Sequence, residues 1–430
     1  MKKIIKPTIL RGTRDFLPQQ MACRNQVMDI IKSTFEQFGY ASIETPILSP
    51  ADTILGKYGE EGDQLAYSFT DRGGRRIALP YDLTVPFARY MAANYRELPI
   101  PFKRYQIQRV WRAERPQKGR LREFYQCDVD IIGSDSLLCE AEIAKIIVTV
   151  FDRLKISNVK IKINSRRLLN DILSFFGVLE DKVLPAIRLI DKLEKIGEDS
   201  VIDELNKIGV KNAREIIETL KPGNNNIITL NKLNKFNVDD INNFLGLSKQ
   251  LSVPDENILI DPTLARGLDY YTGLVFEVIA PGSDLGAICA GGRYDNLCSL
   301  FSDQDFSGIG VAFGFERIMM LIEKDKLFDN SASNSKVLVT IFDNDQVYNA
   351  LSVYNNLINV GIPAEIYMGT DKLAKQLKFA DKKGIPFVVI QGPEEIEREE
   401  IIIRRMDTGL QKVLSKDQLV SYMRGYYEAK

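Results

Sequence analysis

Arg104-Tyr105-Gln106-Ile107-Gln108-Arg109-Val110-Trp111-Arg112-Ala113-Glu114 and Glu123-Phe124-Tyr125-Gln126-Cys127-Asp128-Val129-Asp130-Ile131-Ile132 are two β-like runs separated by Arg115-Pro116-Gln117-Lys118-Gly119-Arg120-Leu121-Arg122. Alternation bounded by a Pro/Gly loop is the pattern of two antiparallel strands joined by a hairpin. The connecting loop carries four cations, Arg115, Lys118, Arg120 and Arg122, and Arg112 stands at the end of the first strand. A guanidinium fixed by a sheet is a rigid bidentate donor, the kind of group that grips phosphate.

Outward from the hairpin, Ala66–Thr70 and Arg75–Leu79 read as further strands of an antiparallel sheet. Apolar spacing at Val27, Ile30, Ile31, Phe35 and Phe38 predicts a helix over 22–38 that stops at Gly39. From 166 to 253 the pattern changes to Leu/Ile/Lys/Glu helices, broken at Pro222-Gly223-Asn224-Asn225-Asn226, and strand-like sequence returns at Leu274–Ile279 and Gly308–Phe313 before a helix over Glu316–Ile322. The sheet is thus split by a helical insertion. Asp329 to Ser335 has linker composition. Beyond it, Val337–Phe342, a helix near 345–359, Ala364–Tyr367, a helix near 371–382 and Pro386–Ile390 predict a small α/β unit with parallel pairing. The expected fold class is therefore α+β, with an antiparallel-sheet domain over 1–165 and 254–327, a helical insertion over 166–253 and a C-terminal α/β domain over 336–430. A length of 430 residues agrees with about three domains.

Composition limits the chemistry. There is no histidine, which removes His-dependent triads, imidazole proton shuttles and His-ligated metals. The five cysteines, at 23, 127, 139, 289 and 298, contain no C-x-x-C pair, so reduced thiols and no metal site are expected. With 57 basic and 58 acidic side chains, the net charge of −1 leaves any polyanion to be held by local clusters. Lys6, Pro7 and Arg11 interrupt any signal-like start, and no run approaches the roughly 18 apolar residues of a membrane span, so a cytoplasmic protein is expected.

Two further clusters could carry chemistry: Arg266-Gly267-Leu268-Asp269-Tyr270-Tyr271-Thr272-Gly273, and Gly308-Ile309-Gly310-Val311-Ala312-Phe313-Gly314-Phe315-Glu316-Arg317. Glycines spaced through the second permit close approach to a flat ligand, though the spacing is not that of a dinucleotide fold. With Gly12-Thr13-Arg14-Asp15, Glu44-Thr45-Pro46, Tyr81-Asp82-Leu83-Thr84-Val85-Pro86 and the hairpin, these segments resemble, nearly end to end, the class II aminoacyl-tRNA synthetases and specifically the histidyl-tRNA synthetase family.

That resemblance implies ATP and Mg²⁺ as cosubstrate and cofactor, L-histidine and tRNA(His) as partners, and a homodimer whose interface lies at the first motif, ending at Pro46. It implies that Arg112 grips the α-phosphate, Glu114 and Phe124 hold and stack adenine, Arg120 reaches the outer phosphates and Arg317 covers the nucleotide. Asp82, Thr84 and Gln126 correspond to the α-ammonium cradle. Asp130, Tyr270 and Tyr271 correspond to the imidazole pocket, and Arg266 to the bridge between carboxylate and α-phosphate. Gln117 and Lys118 correspond to the face toward the tRNA acceptor end. Lys372, Lys375, Lys378, Lys382 and Lys383 sit on a helix of what resembles the anticodon-binding domain. Pro80 and Leu121 depart from the family pattern, where arginine and tyrosine are usual. The rival reading is a non-catalytic relative of the same fold, the regulatory subunit of ATP phosphoribosyltransferase, which usually lacks the C-terminal domain; a partner-binding protein built on a retired synthetase body is the reading from another class. Arg266→Ala is expected to abolish pyrophosphate exchange while leaving the fold intact, and wild-type exchange in that variant would refute its role.

Overall fold

The computed structural model describes residues 5–57, 59–265, 270–328 and 333–428. These fall into two compact units, one comprising 1–15 and 27–327, the other 16–26 and 328–430.

The strands of the first unit are β1 (Ala41–Ser42), β2 (Ser49–Pro50), β3 (Ser68–Thr70), β4 (Arg76–Ala78), β5 (Phe102–Trp111), β6 (Glu123–Ile132), β7 (Lys160–Ser165), β8 (Ile258–Ile260), β9 (Leu274–Ile279), β10 (Cys289–Tyr294) and β11 (Gly308–Gly314). Eight of them form one sheet in the order β1-β5-β6-β11-β10-β9-β7-β8. The hairpin supplies its second and third strands: β5 and β6 pair antiparallel from Phe102↔Ile132 to Trp111↔Glu123, one register over ten residues on each strand. The first run extends back to Phe102 and stops at Trp111, short of Glu114, because Arg112 and Arg122 turn into the loop.

Two sequence expectations are corrected. The large sheet is antiparallel through its middle but parallel at both edges, where β1 pairs β5 and β7 pairs β8. The β7–β8 pair closes across the helical insertion, a crossover of the length parallel pairing needs. The runs at 66–70 and 75–79 do not join this sheet. As β3 and β4 they form a separate three-stranded sheet in the order β2-β4-β3, whose strands are only two or three residues long and bury little beyond Ala78 and Ser49.

One face of the large sheet is apolar. Phe313 of β11 packs against Phe35 of the helix Pro18–Gln37 and Phe151 of the helix Leu138–Arg153, with ring centroids at 5.6 and 5.7 Å, and all three rings are fully buried. Removing one such ring costs about 3–5 kcal/mol. The first helix starts four residues earlier than its apolar spacing predicts, at Pro18, a residue whose fixed φ suits a helix start. Helices occupy most of 166–250, beginning with Arg166–Phe175 and ending with Asp239–Gln250. The last of these places Phe244 edge-on to Phe276 of β9 at 5.6 Å.

In the second unit, β12 (Val337–Val339), β13 (Ala364–Ile366), β14 (Phe387–Ile390), β15 (Glu400–Arg405) and β16 (Gln411–Ser415) run in the order β13-β12-β14-β15-β16. The first three are parallel and linked by the helices Val347–Asn359 and Leu373–Lys383, as the sequence pattern predicts. β15 and β16 add an antiparallel edge, and the helix Lys416–Glu428 follows.

Candidate active site

The opposite face of the large sheet is polar, and pleat periodicity places the groups there. Along β6, Phe124, Gln126, Asp128 and Asp130 share a face, opposite Val110, Gln108, Gln106 and Arg104 of β5. On the other side β11 presents Gly314, Ala312 and Gly310 opposite Gln126, Asp128 and Asp130, and β10 presents Ala290 and Gly292 beyond them. Small residues on two strands thus leave a trough beside large polar ones. The glycine at 310 is required: a Cβ there would stand 1.9 Å from Asp130 Oδ1. At 292 it would stand 2.9 Å from the Tyr271 ring.

Over this face lies a cavity of about 550 Å³, lined by Asp82, Arg112, Glu114, Arg120, Phe124, Gln126 and Arg317 among others. Glu277 of β9 and, from the insertion, Ile190, Asp191, Leu193, Glu194 and Lys195 complete its wall. Each arginine is fixed by the fold. Arg112 donates Nε–H to the Tyr81 carbonyl at 3.0 Å, and its guanidinium lies 4.3 Å from the Tyr81 ring centroid and 5.3 Å from that of Phe124. Arg120 pairs with Glu114 at 3.1 Å. Arg317, on the helix Phe315–Asp325, donates to the Ala287 carbonyl at 2.5 Å. Burial holds the Arg317 guanidinium below the usual arginine range, with Arg120 and Arg112 adding their repulsion. Three guanidinium groups converging on one wall offer fixed bidentate donors to a phosphate-bearing ligand, while Asp82, Glu114 and Glu277 on the same lining offer acceptors to its cationic or amine groups.

The loop that carries them is tied down. Arg122 N–H donates to the Gly12 carbonyl, and Arg122 Nε–H to the Glu114 carbonyl at 3.1 Å. Gly12 has φ +91°, and a Cβ there would meet Pro116 at 2.8 Å and Arg122 at 2.9 Å. Gln117 and Arg120 exchange backbone hydrogen bonds around Gly119, so Gln117 and Lys118 form the loop tip, outside the cavity lining. Lys118 pairs with Asp284 at 2.8 Å on the surface.

Asp82 Oδ1 accepts from the Thr84 and Val85 amides at 3.2 and 3.1 Å, capping the helix Thr84–Asn94 and fixing Asp82 and Thr84 together. Gln126 Oε1 is buried with no hydrogen-bond partner among the described residues. Asp130 lies deeper and does not line the cavity. It is ion-paired to Arg104 at 2.7 Å and accepts a hydrogen bond from the Tyr294 hydroxyl at 2.7 Å. Tyr270 and Tyr271 lie with ring centroids 4.8 Å apart, and Tyr270 meets Tyr294 edge-on at 6.4 Å. Arg266 lies outside the described residues.

Sequence reading missed Arg104, Asp128 and Tyr294. Arg104 and Asp128 share the pleat face of residues that were singled out, and that period-2 placement was available once the hairpin register was known. Tyr294 reaches Asp130 from β10, a pairing no local pattern encodes. Burial pushes the Asp128 carboxyl well above the usual carboxylate range. Arg104 opposes that rise, Asp130 and Asp82 add to it, and Arg112 opposes it.

A family model described as histidyl-tRNA synthetase matches residues 12–318, and one described as an anticodon-binding domain matches 336–426. The chain belongs to the histidyl-tRNA synthetase family. Curated relatives called histidine–tRNA ligase include one from Christiangramia forsetii, 38% identical with 95% of this chain and 97% of that one covered, and one from Bacteroides fragilis (strain YCH46), 39% identical with 96% and 98% covered. A crystal structure of histidyl-tRNA synthetase from Nostoc sp. PCC 7120 superposes with a TM-score of 0.85 at 29% identity, covering 98% of this chain and all of that one. A structure from Bacillus halodurans C, titled as an ATP phosphoribosyltransferase regulatory subunit/histidyl-tRNA synthetase, superposes at 0.72 with 19% identity over 87% of this chain and 97% of that one, a likeness of fold. Among the described residues no group of three or more Cys, Asp or Glu side chains is placed to hold a metal ion, and no helix is long and apolar enough to cross a membrane.

Proposed function

We infer that the protein is a histidine–tRNA ligase: it activates L-histidine with ATP to histidyl-adenylate and transfers the histidyl group to the 3′ end of tRNA(His). The observation that carries this reading is the convergence of Arg112, Arg120 and Arg317 with Asp82 and Gln126 in one cavity on the polar face of the sheet. In the first step a histidine carboxylate oxygen bonds to the α-phosphorus, the bond to the β-phosphate oxygen breaks, and pyrophosphate leaves. In the second, a terminal ribose hydroxyl of tRNA attacks the carbonyl carbon and AMP leaves.

A carboxylate is already ionised at neutral pH, so the first step needs no general base, and a chain without histidine can perform it. What it needs is two mutually repelling anions held in contact and charge stabilised on the phosphorus. In this reading Arg112 and Arg266 orient the α-phosphate and carboxylate, Phe124 stacks on adenine with Glu114 at its amine, and Arg120 and Arg317 take the outer phosphates. Asp82, Thr84 and Gln126 receive the α-ammonium, and Asp130, Tyr270 and Tyr271 the imidazole. Gln117 and Lys118 face the acceptor end.

Mg²⁺ binds with few protein carboxylates when it arrives on phosphates. Glu277 at the cavity wall suits that arrangement, and the ion would neutralise the outer phosphates. We assign 1–165 and 254–327 to catalysis, 166–253 to an insertion and 336–430 to the anticodon. The reading also makes the protein a cytoplasmic homodimer, with contacts at the segment ending at Pro46. Five buried cysteines, none of them in a disulfide, accord with a reducing compartment.

The test is ATP–pyrophosphate exchange with each amino acid, followed by charging of purified tRNA. Exchange that depends on histidine, and charging of tRNA(His), are expected. Binding of histidine without exchange would instead favour the regulatory-subunit reading.

A further inference from the structure

Among the described residues Arg104 is the largest side chain with no exposed surface. Its guanidinium lies 4.1 Å from the centroid of the Phe87 ring, its Nη2 is 2.7 Å from Asp130 Oδ2, and its Nη1 is 3.5 Å from Gln106 Oε1. Gln106 is itself braced, donating to Thr45 Oγ1 at 2.9 Å and to Gln108 Oε1 at 2.5 Å, while Gln108 donates to the Thr45 carbonyl at 3.0 Å. Asp130 therefore has one oxygen on Arg104 and the other on Tyr294. Each oxygen keeps a second lone-pair direction for another donor. The missing Cβ at Gly310 leaves the space in which Asp130 sits.

We propose that Arg104 is a positioning residue of the histidine site, holding Asp130 as an oriented anion and cancelling its charge, so that the site accepts histidine only with an uncharged imidazole ring. This rests on the ligase reading above. The charged and titratable groups that act on Asp130 are Arg104 on β5, Asp128 on β6, Tyr294 on β10, Asp82 ahead of the helix Thr84–Asn94, and Tyr40. β11 contributes Gly310, which carries no charge.

The charges can then be matched. Asp82 answers the α-ammonium, Arg112 and Arg266 the α-phosphate and α-carboxylate between them, and Arg104 cancels Asp130. Burial raises both carboxyls, but Asp130 has the Arg104 guanidinium at 2.7 Å and the Tyr294 hydroxyl at 2.7 Å to hold it as the anion. Asp128 has no ion pair among the described residues and is raised further, so the proton shared by the two belongs on Asp128. An imidazolium would be a desolvated cation without a counter-ion, whereas a neutral ring can donate its N–H to Asp130. A histidine site with an unneutralised carboxylate would prefer the cation.

The test is pyrophosphate exchange on the full-length protein, with Michaelis constants for histidine and ATP measured between about pH 5.5 and 8.5, and melting temperature recorded for every variant. With an imidazole pKa near 6.5, the wild-type histidine KM should rise roughly five- to tenfold from about pH 7.5 to 5.5 while the ATP KM changes little. A triazole analogue of histidine, whose ring stays neutral in this range, should show no such rise. Arg104→Met should raise the histidine KM at least about tenfold, spare the ATP KM and abolish the acid rise; Arg104→Lys should restore both in part. A wild-type histidine KM that is flat or falls toward acid overturns the proposal, as does an Arg104→Met variant with wild-type KM and profile. If Arg104→Met does not fold, the wild-type profile against the triazole analogue decides. Absence of histidine-dependent exchange in the wild type would overturn the ligase reading itself, and this inference with it.

Discussion

At single positions, the site depends on atoms that are absent as much as on those present. Gly310→Ala places a methyl 1.9 Å from Asp130 Oδ1 and 2.9 Å from the Val129 carbonyl. The strand is flanked on both sides by paired strands and cannot move away, so Asp130 must. We expect a loss of about 1–3 kcal/mol in urea denaturation and a raised histidine KM with the ATP KM spared. A fully stable variant with an unchanged histidine KM would remove Gly310 from the account. Asp128 gives a prediction of opposite sign. Its carboxyl is raised by burial, so the folded chain keeps a proton that the unfolded chain releases, and stability drops as pH rises from the unfolded value near 4 toward the folded one. Asp128→Asn mimics the protonated form and should melt higher than the parent at neutral pH, with the gain vanishing below about pH 4. A gain independent of pH would show that Asp128 does not titrate in this way.

Between elements, one buried ion pair ties the helix Leu138–Arg153 to β10. Arg293 Nε and Nη2 donate to the two oxygens of Glu140 at 2.5 and 2.7 Å, with both side chains under 5% exposed. Arg293 Nη1 also donates to the Ser134 carbonyl at 2.9 Å and to Ser307 Oγ. Removing one partner strands a buried charge, so Glu140→Ala should cost about 3–5 kcal/mol, whereas Glu140→Leu with Arg293→Met should cost much less. Equal losses in the two, measured by urea denaturation, would show that the cost comes from lost packing. Because Tyr294 follows Arg293 directly, slackening this tie should also raise the histidine KM.

Over the whole molecule, activation and tRNA recognition should respond differently to ionic strength. On the helix Leu373–Lys383, Lys375 pairs with Asp371 at 2.9 Å and Lys383 with Glu365 at 2.5 Å. Lys378 and Lys382 are exposed, and among the described residues they form no ion pair. Lysines that neutralise phosphates make binding fall steeply with salt. Replacing Lys378 and Lys382 with alanine should therefore raise the KM for tRNA severalfold and flatten its salt dependence, with histidine-dependent exchange unchanged. Unaltered charging at every salt concentration would exclude these lysines from tRNA binding.

The hairpin, the strand returns at 274 and 308 and the parallel β12–β13–β14 unit could be read from local pattern, because period-2 alternation and a Pro/Gly loop act over a few residues. Arg112, Glu114, Phe124 and Gln126 were legible for the same reason, being spaced along one hairpin. The family resemblance added Asp82 and Arg317, which lie far apart in the chain. Chain order alone could not show that β11 and β10 would lie beside β6, putting Gly310 against Asp130 and Tyr294 on its other oxygen. Nor could it show that Arg104, which reads like any surface arginine in a strand, is fully enclosed. Pleat and turn chemistry are properties of neighbouring residues. Burial and charge compensation depend on strands that meet only in the folded sheet, as Tyr294 meets Asp130 across 164 positions, and exist only once the sheet has closed over them.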